Sequence, residues 1–223
     1  MSPRRRRVTE RGLFRGCCLG LVLLGVVLGF GAWCADRAIA APQLGTPPGG
    51  ADDGASEVQI ALTLAAHLAP QLATTPHGAV TLSEHDLTVL AQQHNPHPDR
   101  YSNLAVRVRD RLLVISANDH YGPFTVTPVL RMLPQLRQST EEVLLQVQRL
   151  DVGELTLPGY VRDAFLGQLP SVVSIPSLFG ANGTLKALSQ TLECIAVTAK
   201  GLVIGVHRPG ASSDPSTCGA AQP

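Results

Sequence analysis

Between Gly16 and Ala35 the chain runs without a charge: GCCLGLVLLGVVLGFGAWCA. As a helix this stretch is about 30 Å long, the thickness of a bilayer core. Arg4, Arg5, Arg6, Arg7, Arg11 and Arg15 precede it, and Asp36 and Arg37 follow. Basic residues stay on the cytoplasmic side of a span, so the N-terminus is expected inside and everything after Ala35 outside. Trp33 sits where an interfacial anchor belongs. The rival reading is a cleaved signal peptide ending at Ala38-Ile39-Ala40. The apolar run exceeds a usual signal core, and Asp36 and Arg37 separate it from that site, which favours a retained single-pass anchor. Gly25 and Gly29 form a GxxxG pair that allows two anchors to pack.

An extracytoplasmic location changes how the cysteines are read. Cys17, Cys18 and Cys34 belong to the apolar segment or its edge, leaving Cys194 and Cys218 in the exported part. In an oxidising compartment these two allow a single pairing, a Cys194–Cys218 disulfide. Two unrelated thiols are the alternative. Trp33 stands where a lipobox needs a small residue before Cys34.

The remaining chain divides by composition. The expected plan is a basic cytoplasmic segment (1–15), the anchor (16–35), a Pro/Gly/acidic linker (36–55), an extracytoplasmic domain (56–209) and a flexible tail (210–223). Net charge is +1 and aromatics make up 4% against 44% hydrophobic residues. Near-neutrality gives no electrostatic footprint for nucleic acid, and few aromatics means few base-stacking platforms. The apolar content is aliphatic and suits a packed core or an acyl groove.

Within 56–209 the periodicity changes from helical to alternating. Ser56 caps a helix bearing Val58, Ile60, Leu62, Leu64 and Leu68, expected to be buried over much of its surface and to end before Pro70. Ser83 caps a second helix, with Asp86 in a capping box and Leu82 and Leu87 as a staple. NLAVRVRDRLLVISA reads as a hairpin turning at Asp110-Arg111. GPFTVTPVLRML, with Pro123 and Pro128, reads as an edge or bulged strand. In EEVLLQVQRLDVGELTL the apolar parity slips near Asp151–Gly153, which predicts a bulge there. A helix begins after Pro158, with Val161, Phe165 and Leu169 on one side, lying back on the sheet. TLECIAVTAKGLVIGVHRP is a hairpin turning at Lys200-Gly201. The fold class is α+β: antiparallel strands with a few amphipathic helices.

Motifs for chemistry are sparse. There is no phosphate loop, nucleophile elbow or zinc-finger spacing. His94, His97 and Asp99 share a loop and are read as a polar loop rather than a metal site. His120 beside Tyr121 is read as a turn, since nothing nearby in sequence supplies a nucleophile. Asn182-Gly183-Thr184 matches a glycosylation sequon and is read as a loop without sugar. No catalytic residue, metal or cofactor is expected, and the protein is expected not to be an enzyme.

VTLSEHDLTVL resembles the opening of bacterial envelope domains, LDVGELTLP is similar to the "V-G-x-L-x-L-P" run of single-anchor bacterial proteins, and VTAKGLVIGV resembles the closing hairpin of actinobacterial periplasmic proteins of the tubular lipid-binding superfamily. Together they resemble a bacterial membrane-anchored envelope domain of that type. The resemblance covers roughly residues 80–206. It implies a long curved sheet wrapped on helices, with a seam for lipid. Leu157, Val161, Phe165 and Leu169 are then expected to form one wall of that seam. The expected function is binding or transfer of a lipid or hydrophobic ligand at the outer face of the cytoplasmic membrane. A non-catalytic scaffold with a filled core is the alternative.

Overall fold

The computed structural model describes residues 10–46, 48–49, 54, 56–95, 97–137, 142–166, 172–174 and 191–220. The protein is α+β, with two open antiparallel sheets and few helices. In chain order the elements are α1 (Glu10–Ile39), α2 (Glu57–Thr74), β1 (His77–Leu82), α3 (Glu84–Gln93), β2 (Tyr101–Arg109), β3 (Leu112–Tyr121), β4 (Phe124–Val126), β5 (Pro128–Arg137), β6 (Glu142–Val152), β7 (Leu155–Thr156), α4 (Gly159–Leu166), β8 (Val172–Ser174), β9 (Leu192–Thr198), β10 (Gly201–His207) and α5 (Thr217–Ala220). The smaller sheet has the order β1-β10-β9. The larger runs β2-β3-β5-β6-β7, with β4 on β3 and β8 on β6.

α2 and α3 both start as their caps dictate. Ser56 accepts the Gln59 N–H at 3.3 Å. At α3, the Ser83 hydroxyl accepts the Asp86 N–H at 3.2 Å, and the Asp86 carboxylate accepts the Ser83 N–H at 2.9 Å. This reciprocal box satisfies two backbone donors that a helix start leaves open. α2 differs from expectation in two ways. It continues through Pro70 to Thr74. It also buries one stripe rather than most of its surface: Ile60 and Leu68 are buried, while Val58 and Leu62 are exposed. Ile60, Leu64, Leu68 and Leu72 recur every four residues, so they form a line facing the sheets.

The strands depart from the expected registers at particular residues. Asp110 and Arg111 make the β2–β3 turn with φ of 54° and 61°, the left-handed pair of a tight hairpin, here without glycine. Residues 77–82 form edge strand β1, paired with β10 from His77↔His207 to Leu82↔Leu202. β5 is not an edge strand. It lies between β3 and β6, and Pro128 is tolerated as its first residue. Pro134 lies beyond the β3 ladder, where β5 is paired on the β6 side alone. The parity slip in β6 comes from Gln148, the extra residue where Arg131↔Arg149 is followed by Met132↔Val147. That is earlier than the expected Asp151–Gly153; there Asp151 and Val152 still pair with β7, and Gly153-Glu154 make the turn between the strands. The final hairpin turns at Ala199-Lys200, one residue earlier than expected, because Gly201 already pairs with Thr198.

α1 extends to Ile39, into the stretch expected as linker, and its end is docked on the larger sheet. The Arg37 carbonyl accepts the Glu154 N–H at 2.8 Å, and the Arg37 and Glu154 side chains pair. Gly153 sits at φ 59°, and a Cβ there would collide with the carbonyls of Arg37, Ala38 and Ala40. Upstream, Val26, Val27, Leu28 and Phe30 are 62–64% exposed. Among the described residues no helix is long and apolar enough to cross a membrane; the side chains of residues 10–23 lie outside that description.

Candidate functional site

The interior between α2, α3 and the two sheets contains an apolar cavity of about 250 Å³. Leu64 and Leu68 line it from α2, Leu90 from α3, Ile115 from β3, Leu145 from β6 and Ile204 from β10. His94, at the end of α3, is the lining residue with a polar side chain, and its Nε2 lies 3.3 Å from Glu57 Oε2. The strand period builds this wall. In β3, Leu113 and Ile115 face the cavity while Val114 and Ser116 face away, and in β10, Leu202, Ile204 and Val206 face it. The Gln148 bulge lets β6 turn Val143 and Leu145 toward the cavity and still bury Leu150 and Asp151 further along.

Of the four residues read as a groove wall, two fall within the described side chains, Leu157 and Val161. Leu157 and Val161 are half-buried around the start of α4 and do not line the cavity. α4 touches the sheet where Arg162 Nη1 donates to the Gln148 carbonyl at 3.1 Å, while Tyr160 is 77% exposed. The Phe165 side chain and all of Leu169 lie outside the described residues. The residues that do line the cavity had a readable signal, the four-residue stripe of α2 and the alternation of β10. Their meeting in one space was not readable, because it depends on how distant segments pair.

Cys194 and Cys218 form a disulfide with Cα atoms 6.0 Å apart. It closes over Gly205, where a Cβ would strike Cys194 Sγ, so the bond needs a residue without a side chain on β10. Beside it, Glu193 is buried at 1% exposure. Its Oε2 meets His77 Nδ1 at 2.9 Å and accepts the Asp214 N–H at 3.0 Å. Burial pushes this carboxyl up, but the Thr217 hydroxyl, the Asp214 N–H and His77 outweigh it and hold the group below the ordinary glutamate value. The Thr217 hydroxyl has a second acceptor within reach, the Asp214 carbonyl at 2.9 Å.

On the face of the larger sheet turned away from the cavity, Arg107, Val114, Arg131 and Arg149 form one row across β2, β3, β5 and β6. Asp151 pairs with Arg149 at 2.8 Å and with Arg131 at 3.5 Å. Arg107 is 3% exposed; it donates to Ser116 Oγ at 3.0 Å and reaches the Gly45 carbonyl at 3.5 Å, and its Nε has no acceptor. Burial, reinforced by Arg109, lowers its pKa against the opposing pull of Glu84. Residues near Gly45 therefore lie over this face rather than standing off the domain.

His120 lies on β3, not in a turn, with Nε2 2.8 Å from Ser102 Oγ and Nδ1 3.1 Å from Thr125 Oγ1. The third position of a Ser–His–carboxylate array is therefore filled by a hydroxyl. Asp119, next in sequence, instead binds Arg100 at 2.9 Å. Among the described residues no cluster of three or more metal-ligating side chains occurs. The sequon at Asn182 lies outside the described residues. The chain matches no family model, no curated protein and no solved structure.

Proposed function

We propose that the protein binds a lipid, or a comparable hydrophobic ligand, at the cell envelope, held to the membrane by the apolar N-terminal helix. The observation that supports this reading is the cavity itself. Leu64, Leu68, Leu90, Ile115, Leu145 and Ile204 offer an acyl chain a lining of aliphatic side chains. Each CH₂ moved from water into such a lining gains about 0.8 kcal/mol. Water in so apolar a space makes few hydrogen bonds, and a hydrophobic occupant that displaces it removes that cost. This argues against the scaffold reading, which needs a filled core. The resemblance to tubular lipid-binding domains, with a curved sheet wrapped on helices, points the same way. The exposed apolar residues of α1 suit a bilayer environment.

The test is the full chain in amphipol, titrated with a fluorescent fatty acid. The parent should bind it. Leu145→Trp, which fills the cavity from a half-buried position, should lose uptake while keeping or raising its melting temperature. Uptake by Leu145→Trp equal to the parent's would remove the cavity from consideration.

A further inference from the structure

A second concavity, about 660 Å³, lies along the outer side of α2, β1 and α3. It shares the wall residues Leu64 and Val80 with the apolar cavity, so the two spaces adjoin. Its character is different. Gln59, Thr63 and His67 from α2, Thr81 from β1, and His85 and Asp86 from α3 line it.

The hydrogen bonds already made fix what this lining still offers. His67 Nδ1 lies 2.8 Å from the Thr63 carbonyl, and His85 Nδ1 lies 2.7 Å from the Gly49 carbonyl. A carbonyl oxygen only accepts, so in both neutral rings Nδ1 carries the proton and Nε2 keeps its lone pair. The Thr63 hydroxyl spends its proton on the Gln59 carbonyl at 2.9 Å and keeps acceptor capacity. Asp86 adds a carboxylate, whose Oδ2 is occupied by Ser83. The Gln71 amide, also at this groove, is taken up by β1: its Oε1 accepts the Ala79 N–H at 2.9 Å and its Nε2 donates to the Ala79 carbonyl. The groove thus offers acceptors at His67, His85, Thr63 and Asp86, while Gln59 and Thr81 add side chains that both donate and accept, and no arginine or lysine lines it among the described residues. A phosphate or carboxylate finds no guanidinium or ammonium group in this lining and meets Asp86.

We infer that the groove receives the head of an amphiphile whose chain occupies the adjoining cavity, and that this head is uncharged and polyhydroxylated, such as a glycosyl group. Hydroxyls supply the donors that His67 Nε2, His85 Nε2 and Asp86 lack. This inference rests on the lipid-binding reading above and adds the chemical class of the head.

The experiment is displacement of a bound fluorescent fatty acid from the full chain in amphipol by three single-chain competitors. These are dodecyl maltoside, lysophosphatidylglycerol and lysophosphatidylethanolamine. The maltoside is expected to displace at a concentration about ten-fold lower than either phospholipid. His67→Leu and His85→Leu should each weaken the maltoside by about five- to ten-fold, the loss of one hydrogen bond to the head. Equal displacement by all three, or preference for the anionic or the ethanolamine competitor, overturns the head assignment and leaves the acyl cavity standing. Failure of the fluorescent fatty acid to bind at all overturns the lipid reading and this inference with it.

Discussion

His77 Nδ1 lies 2.9 Å from Oε2 of Glu193, across the width of the smaller sheet from β1 to β9, and the Glu193 side chain is fully buried. Because the folded protein holds this carboxyl below its ordinary value, the group contributes stability above the unfolded pKa of about 4.3. That contribution is lost as pH falls through the lower folded value. Glu193→Gln should therefore flatten the acid limb of the stability curve below about pH 4.3. It should also cost about 1–3 kcal/mol at neutral pH by weakening a buried hydrogen-bonded group. Urea melts across a pH series measure both. A variant whose acid limb overlays the parent's would show that Glu193 does not titrate as argued.

The disulfide pins the tail that carries Asp214 and Thr217 to the final hairpin. A bridge with a sequence separation of 24 is expected to stabilise by roughly 3 kcal/mol. Cys218→Ser should lower stability by about that amount. A reducing agent should destabilise the parent similarly and leave the variant unchanged. Equal response of both proteins to reduction would contradict the assignment.

Gly153 is where the end of α1 meets the larger sheet. Gly153→Ala adds a side chain at φ 59° and into three carbonyls, so the Arg37–Glu154 backbone bond should break. Hydrogen exchange at the Glu154 amide should accelerate, with a cost of more than about 1 kcal/mol. An amide as protected as the parent's would mean that the contact survives the substitution.

Arg107 is a buried cation that contacts no carboxylate among the described residues. Replacing it by methionine removes the desolvation of the guanidinium and keeps much of its volume. The expected result is a melting temperature equal to or above the parent's, since buried ionic groups often yield stability when exchanged for apolar ones. A loss of more than about 2 kcal/mol would show that the Ser116 and Gly45 contacts outweigh that desolvation.

The local chemistry of this fold was written in the sequence. Ser83 and Asp86 specify a helix start because the box needs only residues three apart. The alternation of Leu202, Ile204 and Val206 specifies a strand with one apolar face, and Asp110-Arg111 specifies a turn between two strands, whatever surrounds them. Placing Cys17, Cys18 and Cys34 with the apolar segment leaves Cys194 a single partner. What the sequence could not supply was which faces meet. The apolar stripe of α2 reads identically whether it packs on a solid core or lines a space, because composition carries no volume. In place of Leu157 and Val161, residues from α2, α3 and seven strands line the cavity. Those residues come together through pairings such as His77↔His207 and Leu113↔Met132, distant along the chain. The Gln148 bulge, the burial of Arg107 and the joining of the two concavities at Leu64 and Val80 likewise follow from strand register and packing, which are properties of the assembled sheets rather than of any one segment.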